Sequence, residues 1–390
     1  MLSDLAFHLA GRGMSVCVVT SRLRYDDPSA ALADFGKMHG VDIRRVWTTR
    51  FGRGNLLGRA FDYLTFYLSA AWVALRLVRR GDVLIAKTDP PLISVVAGMV
   101  AGWRGAPLIN WVQDMFPEVA QALGVPFVHG RIGALITAVR DRSLRAARCN
   151  VVLGERMAGL VMRRGVPRER IATIPNWADD SIIQPIAPSA NPLRAEWGLT
   201  DKFVVGYSGN LGRVHEFGTI LDAAVLSRDD PRIVFLFIGS GAQAEAVKNE
   251  VVRRALRNFV FRPYQPRTQL ANSLGAADLH LVSLRPEVEG LIVPSKFYGI
   301  AAAGRPVAFI GDQDGEIARI VRRHDCGRSF AVGDAAGLSV YIRALAQDPD
   351  EAARLGTNAR TALDAHYSQA RAFELWEKVL SAGPNAGSPQ

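Results

Sequence analysis

Phe203-Val-Val-Gly-Tyr-Ser-Gly-Asn-Leu-Gly-Arg213 runs from an apolar, β-branched stretch into two glycines and an arginine, and a helical pattern follows at Glu216–Ala224. The apolar run predicts a buried parallel strand over Phe203–Tyr207. Gly209 and Gly212 let the backbone approach a ligand, and the start of the next helix offers free N–H groups to an anion, with Asn210 between them. Arg213 adds a fork of donors for the same charge. A purely structural turn would use the same residues, so this loop alone admits both readings. Ile238-Gly-Ser-Gly241 repeats the arrangement one unit later and makes Gly239 a second candidate contact.

Working outward in both directions, short apolar runs alternate with helical periodicity. Strands are expected at Ser15–Thr20, Val41–Val46, Asp82–Ala86, Pro107–Val112, Asn150–Leu153 and Ile171–Ile174 in the first half. The second half adds Ile233–Ile238, Phe259–Phe261, Leu279–Leu284 and Val307–Ile310. Such alternation predicts an α/β chain of two Rossmann-like, doubly wound domains facing a cleft. The first domain is placed at 1–178 and a linker, rich in Pro, Ala and Ser at Ala187–Pro192, at 179–200. The second domain follows at 201–365. A last helix at 366–381 is expected to pack back toward the first domain, and 382–390 reads as a disordered tail. The chain opens on helical spacing (Leu2, Leu5, Ala6, Leu9) rather than on a strand and Gly-rich loop. The expectation is that the first strand of this fold is missing. An added strand and loop of roughly 15–20 residues should then stabilise the domain.

The 390 residues carry 47 Lys and Arg against 37 Asp and Glu, a net charge of +10. That balance favours anionic partners such as diphosphates or acidic head groups. Nucleic acid is not expected, because the basic residues are scattered and no aromatic–basic motif appears. Cys17, Cys149 and Cys326 are too far apart for a metal or disulfide framework, and a reducing cytoplasm fits them. Cys17, inside Val16–Val19, reads as a buried thiol. The opening MLSDLAFHLAGRG carries Asp4 and a helix stop, unlike a secretory signal. Among the histidines, His8 reads as a surface residue of the first helix, and His324 and His366 have no partner in sequence.

The most informative segment is Glu287-Val-Glu-Gly-Leu-Ile-Val-Pro-Ser-Lys-Phe-Tyr-Gly299, followed by Ile300-Ala-Ala-Ala-Gly-Arg-Pro306. Pro294-Ser295 starts a helix, and Lys296 falls in its first turn, where it opposes the helix dipole. A bound anion offsets that cost, so Ser295 and Lys296 read as phosphate contacts. Glu289 can accept hydrogen bonds from sugar hydroxyls. In the first half, Asp114 follows the strand Pro107–Val112 at the cleft end of the sheet. It reads equally as a cleft carboxylate or as the cap of the next helix.

Together, YSGNLGR, EGLIVPSKFYGIAAAGRP, GERMAGLVMRRGVP, IPNWAD and NWVQDMFPE resemble the retaining, GT-B-type glycosyltransferases of family four. The nearest group is the bacterial exopolysaccharide, O-antigen and colanic-acid-type transferases, and the resemblance runs from Leu2 to about Leu380. It implies an acceptor site in the first domain and a nucleotide-sugar site in the second. It also implies no cofactor beyond the donor substrate and no obligatory metal. Asp312-Gln-Asp314 resembles a metal-binding motif of other glycosyltransferases but reads here as a turn. The family's phosphate-loop Arg and Lys fall on Asn210 and His215, which leaves the diphosphate to Arg213 and Lys296. The family's second Glu falls on Gly299. The family places an acidic residue near Gln113-Asp114, so Asp114 and Glu289 are expected to position acceptor and donor sugar.

Phe61–Val78 holds eleven large apolar or aromatic residues with Arg59 before it and Arg76, Arg79 and Arg80 at its end. Asp62 and Arg76 make it a poor membrane span. A helix over 58–80 lying on an anionic membrane surface and a helix of the core both fit the pattern. The expected activity is transfer of a sugar from a nucleoside diphosphate sugar to a polyprenyl-diphosphate-linked acceptor, with retention, at the cytoplasmic face of the cell membrane, in cell-surface polysaccharide synthesis. The alternatives are a nucleotide-sugar 2-epimerase and a non-catalytic paralogue.

Overall fold

The computed structural model describes residues 1–23, 32–51, 56–126 and 128–382; the expected tail beyond Ala382 lies outside the described residues. Among the described residues thirteen strands form in chain order. These are β1 (Cys17–Ser21), β2 (Phe35–Met38), β3 (Val41–Val46), β4 (Leu84–Lys87), β5 (Leu108–Trp111), β6 (Cys149–Val152) and β7 (Ile171–Thr173), then β8 (Phe203–Ser208), β9 (Ile233–Ile238), β10 (Phe259–Arg262), β11 (Leu279–Ser283), β12 (Val307–Ile310) and β13 (Gly327–Phe330). The second half is one parallel sheet in the order β10-β9-β8-β11-β12-β13. Strand order therefore reverses between β8 and β11, which places a ligand crevice beyond their carboxyl ends. β9 and β12 are apolar throughout because helices cover both faces of such a sheet.

The first half departs from a single doubly wound sheet. β4-β5-β6-β7 form one parallel sheet, and β1-β3-β2 form another, with β2 antiparallel to β3. Among the described residues β1 and β4 each pair on one edge only. This explains a correction: Cys17 is exposed, not buried, because it begins an edge strand none of whose residues is fully buried. β2 was not expected either; its Phe-Gly-Lys-Met sequence has neither alternation nor β-branching.

Helix α1 (Leu2–Gly11) buries Leu5 and Leu9 against Ile109 and Trp111 of β5. The helix Gln369–Ser381 packs into the same cluster through Ala372 and Trp376. Trp376 is fully buried, with its ring 4.9 Å from that of Trp111, which stacks on Trp177 at 5.8 Å. His8 is not a free surface histidine. It stacks on Phe373 at 4.2 Å, and its Nε2 lies 2.8 Å from Glu377 Oε1, joining the two ends of the chain. His324 has partners too: the His366 ring at 5.1 Å and the Tyr367 hydroxyl at 3.4 Å from its Nε2. The Pro- and Ser-rich stretch 187–192 is folded onto the second half. Asn191 caps the helix Pro192–Glu196 and donates to Asn272 O, and the buried Arg194 meets both oxygens of Asp278 at 2.9 Å.

Helix α2 (Leu56–Leu77) packs one side on α3 (Ile93–Arg104), β1 and β3. Its other side exposes Phe61, Leu64, Leu68 and Trp72, a helical stripe. Among the described residues, no helix is long and apolar enough to cross a membrane. Because Trp376 closes the tryptophan cluster of the first half, Trp376→Ala is expected to cost about 3–5 kcal/mol. Urea unfolding followed by tryptophan fluorescence checks this, and a loss below about 1 kcal/mol would mean that the last helix docks without supporting that core.

Candidate functional site at the strand-order reversal

The loop after β8 carries the glycines singled out above. Gly209 has φ +119° and Gly239 φ +131°, conformations that side chains rarely adopt. A Cβ on Gly239 would collide with the Gly209 carbonyl, and one on Gly209 would sit 3.0 Å from Lys296 Cε. The two loops are laced together: Gly209 N–H donates to Ile238 O and Leu211 N–H to Ser240 O, both at 2.8 Å. Gln243 Nε2 donates to Gly212 O at 2.6 Å and to His215 O at 3.0 Å. Gly209, Asn210, Gly212, Gly239 and Lys296 are thus in one place. Arg213 is exposed on the same loop, and the side chain of Ser295 makes no cap bond at the start of the helix Lys296–Ala302.

Lys296 reaches across the reversal from the β11 side to the β8 loop. Its Nζ donates to Asn210 O (3.1 Å) and to His215 Nε2 (2.8 Å), and it lies 4.9 Å from the centre of the Tyr207 ring. No carboxylate pairs with it among the described residues. Burial alone lowers its pKa to about 8. Burial, then the Lys296 charge, holds His215 down at about 4. Beside the loop lies a cavity of about 540 Å³ lined by Leu211, Phe237, Gly239, Lys248, Arg262 and Tyr264, among others. A pocket of this size with apolar walls and a few polar groups suits a nucleoside-sized ligand.

Two carboxylates were expected in the cleft, and they differ. Glu289 Oε1 accepts the Glu316 N–H at 2.9 Å, at the start of the helix Glu316–Arg323. One of its oxygens is therefore engaged by a helix end rather than open to hydroxyls, and burial raises its pKa. Asp114 does not cap a helix, since Pro117 holds the cap position of Glu118–Ala122. It lies in a recess on the cleft side, and its neighbour Met115 donates its N–H to Leu291 O of the opposite half at 2.9 Å. Its pKa is raised to about 6, first by burial and then by Asp89, with Lys87 opposing. Under it, Arg140 holds Phe116 O (2.9 Å) and the Glu118 carboxylate.

Asp312-Gln-Asp314 is a turn: Asp314 N–H donates to Asp312 Oδ1, and Gly315 N–H to Asp312 O, both at 2.9 Å. Sequence reasoning missed its partner. Arg156 of the first half meets Asp312 Oδ2 at 3.1 Å and Asp314 O at 2.7 Å. Glu316 Oε2 lies 3.4 Å from Arg156 N, at the start of the helix Glu155–Arg163. Its proximity to GERMAG could not be read from spacing. His215 and Gln243 were within reach, since both directly follow the glycine loops.

The Glycosyl transferase 4-like domain matches residues 1–177, and the Glycosyl transferases group 1 family matches residues 190–362. The chain belongs to the family-four glycosyltransferases. It is 27% identical over 293 residues to the probable glycosyltransferase WbjE of Pseudomonas aeruginosa, covering 75% of this chain and 72% of that one. It is 28% identical over 220 residues to the putative colanic acid biosynthesis glycosyl transferase WcaI of Escherichia coli K12, covering 55% and 54%. Among solved structures, Anabaena HepE in complex with UDP and glucose superposes with a TM-score of 0.73 at 16% identity, over 98% of this chain and 95% of that one. This likeness establishes the GT-B fold, in which the glycosyltransferase's two Rossmann-like halves face a cleft.

Proposed function

We propose that this glycosyltransferase moves a sugar from a nucleoside diphosphate sugar to a lipid-linked acceptor, with retention, in the making of a cell-surface polysaccharide. The observation that carries the donor half of this reading is Lys296, a half-buried ammonium with neutral partners only, set over a glycine loop at the reversal of strand order. Such a site is completed by an anion. The nearby cavity takes the nucleoside, while Lys296, Arg213 and the loop N–H groups hold the diphosphate as it leaves. Nothing in this arrangement calls for a metal, because the cationic side chains supply the charge. Asp114 accepts the proton of, or orients, the attacking acceptor hydroxyl. HepE binding UDP and glucose, and WcaI acting in colanic acid biosynthesis, support the substrate class and the setting.

The lipid part of the reading rests on the first half's outer face. The helix α3 lies between α2 and the helix Gly130–Ala146, and all three expose apolar stripes. These are Phe61, Leu64, Leu68 and Trp72, then Met99 and Trp103, then Ile132, Leu135 and Val139. Trp103 is 79% exposed, and the Arg76 guanidinium sits 4.2 Å over the Trp72 ring. Arg79, Arg80 and Arg104 are exposed at the same helix ends. An apolar face edged by Arg suits anionic bilayers at the cytoplasmic leaflet.

Arg213→Ala and Lys296→Ala are each expected to weaken UDP or GDP binding by about 1.5–3 kcal/mol. Calorimetric titration checks this, and unchanged affinity in both variants would remove the phosphate assignment. The second expectation concerns pH. Asp114 is ionised only above about 6, so kcat/KM should fall as pH drops through that value, and Asp114→Asn should be slow with no such acid limb. An acid limb that persists in the variant belongs to another group. Third, wild-type protein should sediment with anionic liposomes, and replacing Leu64, Leu68 and Trp72 together by Ser should leave it in solution with nucleotide binding intact. Failure of wild-type protein to sediment would sink the membrane reading alone.

A further inference from the structure

His215 stands where the family resemblance places a lysine, yet it is buried and fixed at both ring nitrogens. Its Nδ1 lies 2.6 Å from Ser283 O, the last residue of β11. A carbonyl can only accept, so Nδ1 carries the proton. Its Nε2 lies 2.8 Å from Lys296 Nζ, and an ammonium can only donate. Both contacts demand the same neutral tautomer, with Nε2 as acceptor.

The Lys296 ammonium has three N–H groups. Asn210 O and His215 Nε2 take two of them, and the Tyr207 ring closes one side. Among the described residues no protein acceptor takes the third. The carbonyl of Asn210 is itself fixed, since it also accepts the Tyr207 hydroxyl at 3.0 Å. A second cation at position 215 would stand beside the first in a poorly solvated site and repel it.

We propose that His215 is a positioning residue of the donor site: a neutral imidazole, anchored on the end of β11, that aims the Lys296 ammonium at the donor diphosphate while adding no charge of its own. This rests on the donor-site reading above. His215 thereby ties the two strands flanking the reversal, β8 through its loop and β11 through Ser283. The phosphate site is built around one oriented cation, with Arg213 reaching in from solvent.

The groups packed around the ammonium decide its pH behaviour. Tyr207 is pushed up by burial, and His215 is held near 4, so both stay neutral across the working range. Glu216, next in the chain, turns its carboxylate onto the Thr219 N–H at 3.1 Å. Arg213 is exposed. Lys296 is therefore the member of this cluster that titrates near neutrality, and donor affinity should fall as pH rises through about 8.

The test is calorimetric titration of the full chain with UDP and with GDP at pH values either side of 8. Wild-type affinity should drop by up to about tenfold per pH unit on the alkaline side. His215→Ala should bind on the order of tenfold more weakly at neutral pH, the scale of one charge-assisted hydrogen bond. Its alkaline fall should move to higher pH, because water then reaches the ammonium. His215→Gln, whose amide offers one acceptor and one donor, should recover most of the lost affinity. Thermal melts of each variant verify folding. His215→Ala binding like wild type, or losing affinity with no movement of the alkaline fall and no recovery in His215→Gln, overturns the positioning role. Wild-type protein that binds neither nucleotide overturns the donor-site reading itself, a separate result, and the proposal falls with it.

Discussion

One ammonium, Lys296, half-buried among neutral acceptors, is the constraint around which the second half is arranged. Withdrawing a charge from water is unfavourable unless polar groups are held in place to receive it. Those groups are held here by the strongest parts of the fold. Asn210 follows β8, the loop it belongs to is laced to the turn after β9, and His215 leans on the end of β11. The lysine is held from behind as well. Phe297 and Tyr298, the next two residues, are fully buried, and Arg305 beyond the helix donates to Gly275 O at 2.8 Å. The sheet order brings these pieces to one edge, and the close-packed core keeps them from relaxing toward the lysine or away from it.

The two halves meet by complementary means. An apolar cluster continues from Met115, Met157 and Val161 of the first half to Leu291, Phe297 and Ile317 of the second. Around it, Arg156 faces the Asp312–Asp314 turn, and Glu316 lies against Gly154 at the start of a helix. The positive end of that helix favours a carboxylate there. A Cβ at Gly154 would meet the Glu316 side chain, so the glycine leaves room for that carboxylate beside the helix start. The same turn that resembles a metal motif in sequence is thus a contact between domains.

Much of this was legible from sequence wherever a residue type does one thing. The parallel strands at Ile233–Ile238 and Val307–Ile310 have the bounds that their apolar runs dictate, because strands buried on both faces need no alternation. The glycine loops were legible because positive φ is nearly reserved for glycine. Residues whose role depends on a distant partner were not. Cys17 looked buried from its neighbours, but exposure depends on which strand lies beside it. His8 and Arg156 find partners 369 and 156 residues away, beyond what local spacing encodes. The helix α2 was ambiguous because its apolar residues nearly encircle it; only packing on α3 and the β1–β3 sheet shows which stripe remains outside.

The cleft carboxylates show why residue type and position together still leave function open. Asp114, Glu289 and Glu316 are all acids whose pKa burial raises, and by that measure any of them could handle a proton. Their hydrogen bonds separate them. Glu289 receives the Glu316 backbone N–H, and Glu316 in turn lies against the start of the helix Glu155–Arg163, so both are committed to holding helix ends. Asp114 has no hydrogen bond to its carboxylate among the described residues, while Arg140 fixes the backbone beside it through Phe116 O. A carboxylate that is rigidly placed, raised toward neutrality and unpartnered is the one able to exchange a proton or a hydrogen bond with an incoming hydroxyl. Of the three, Asp114 is the one free to serve the proposed reaction, while Glu289 and Glu316 hold helix ends.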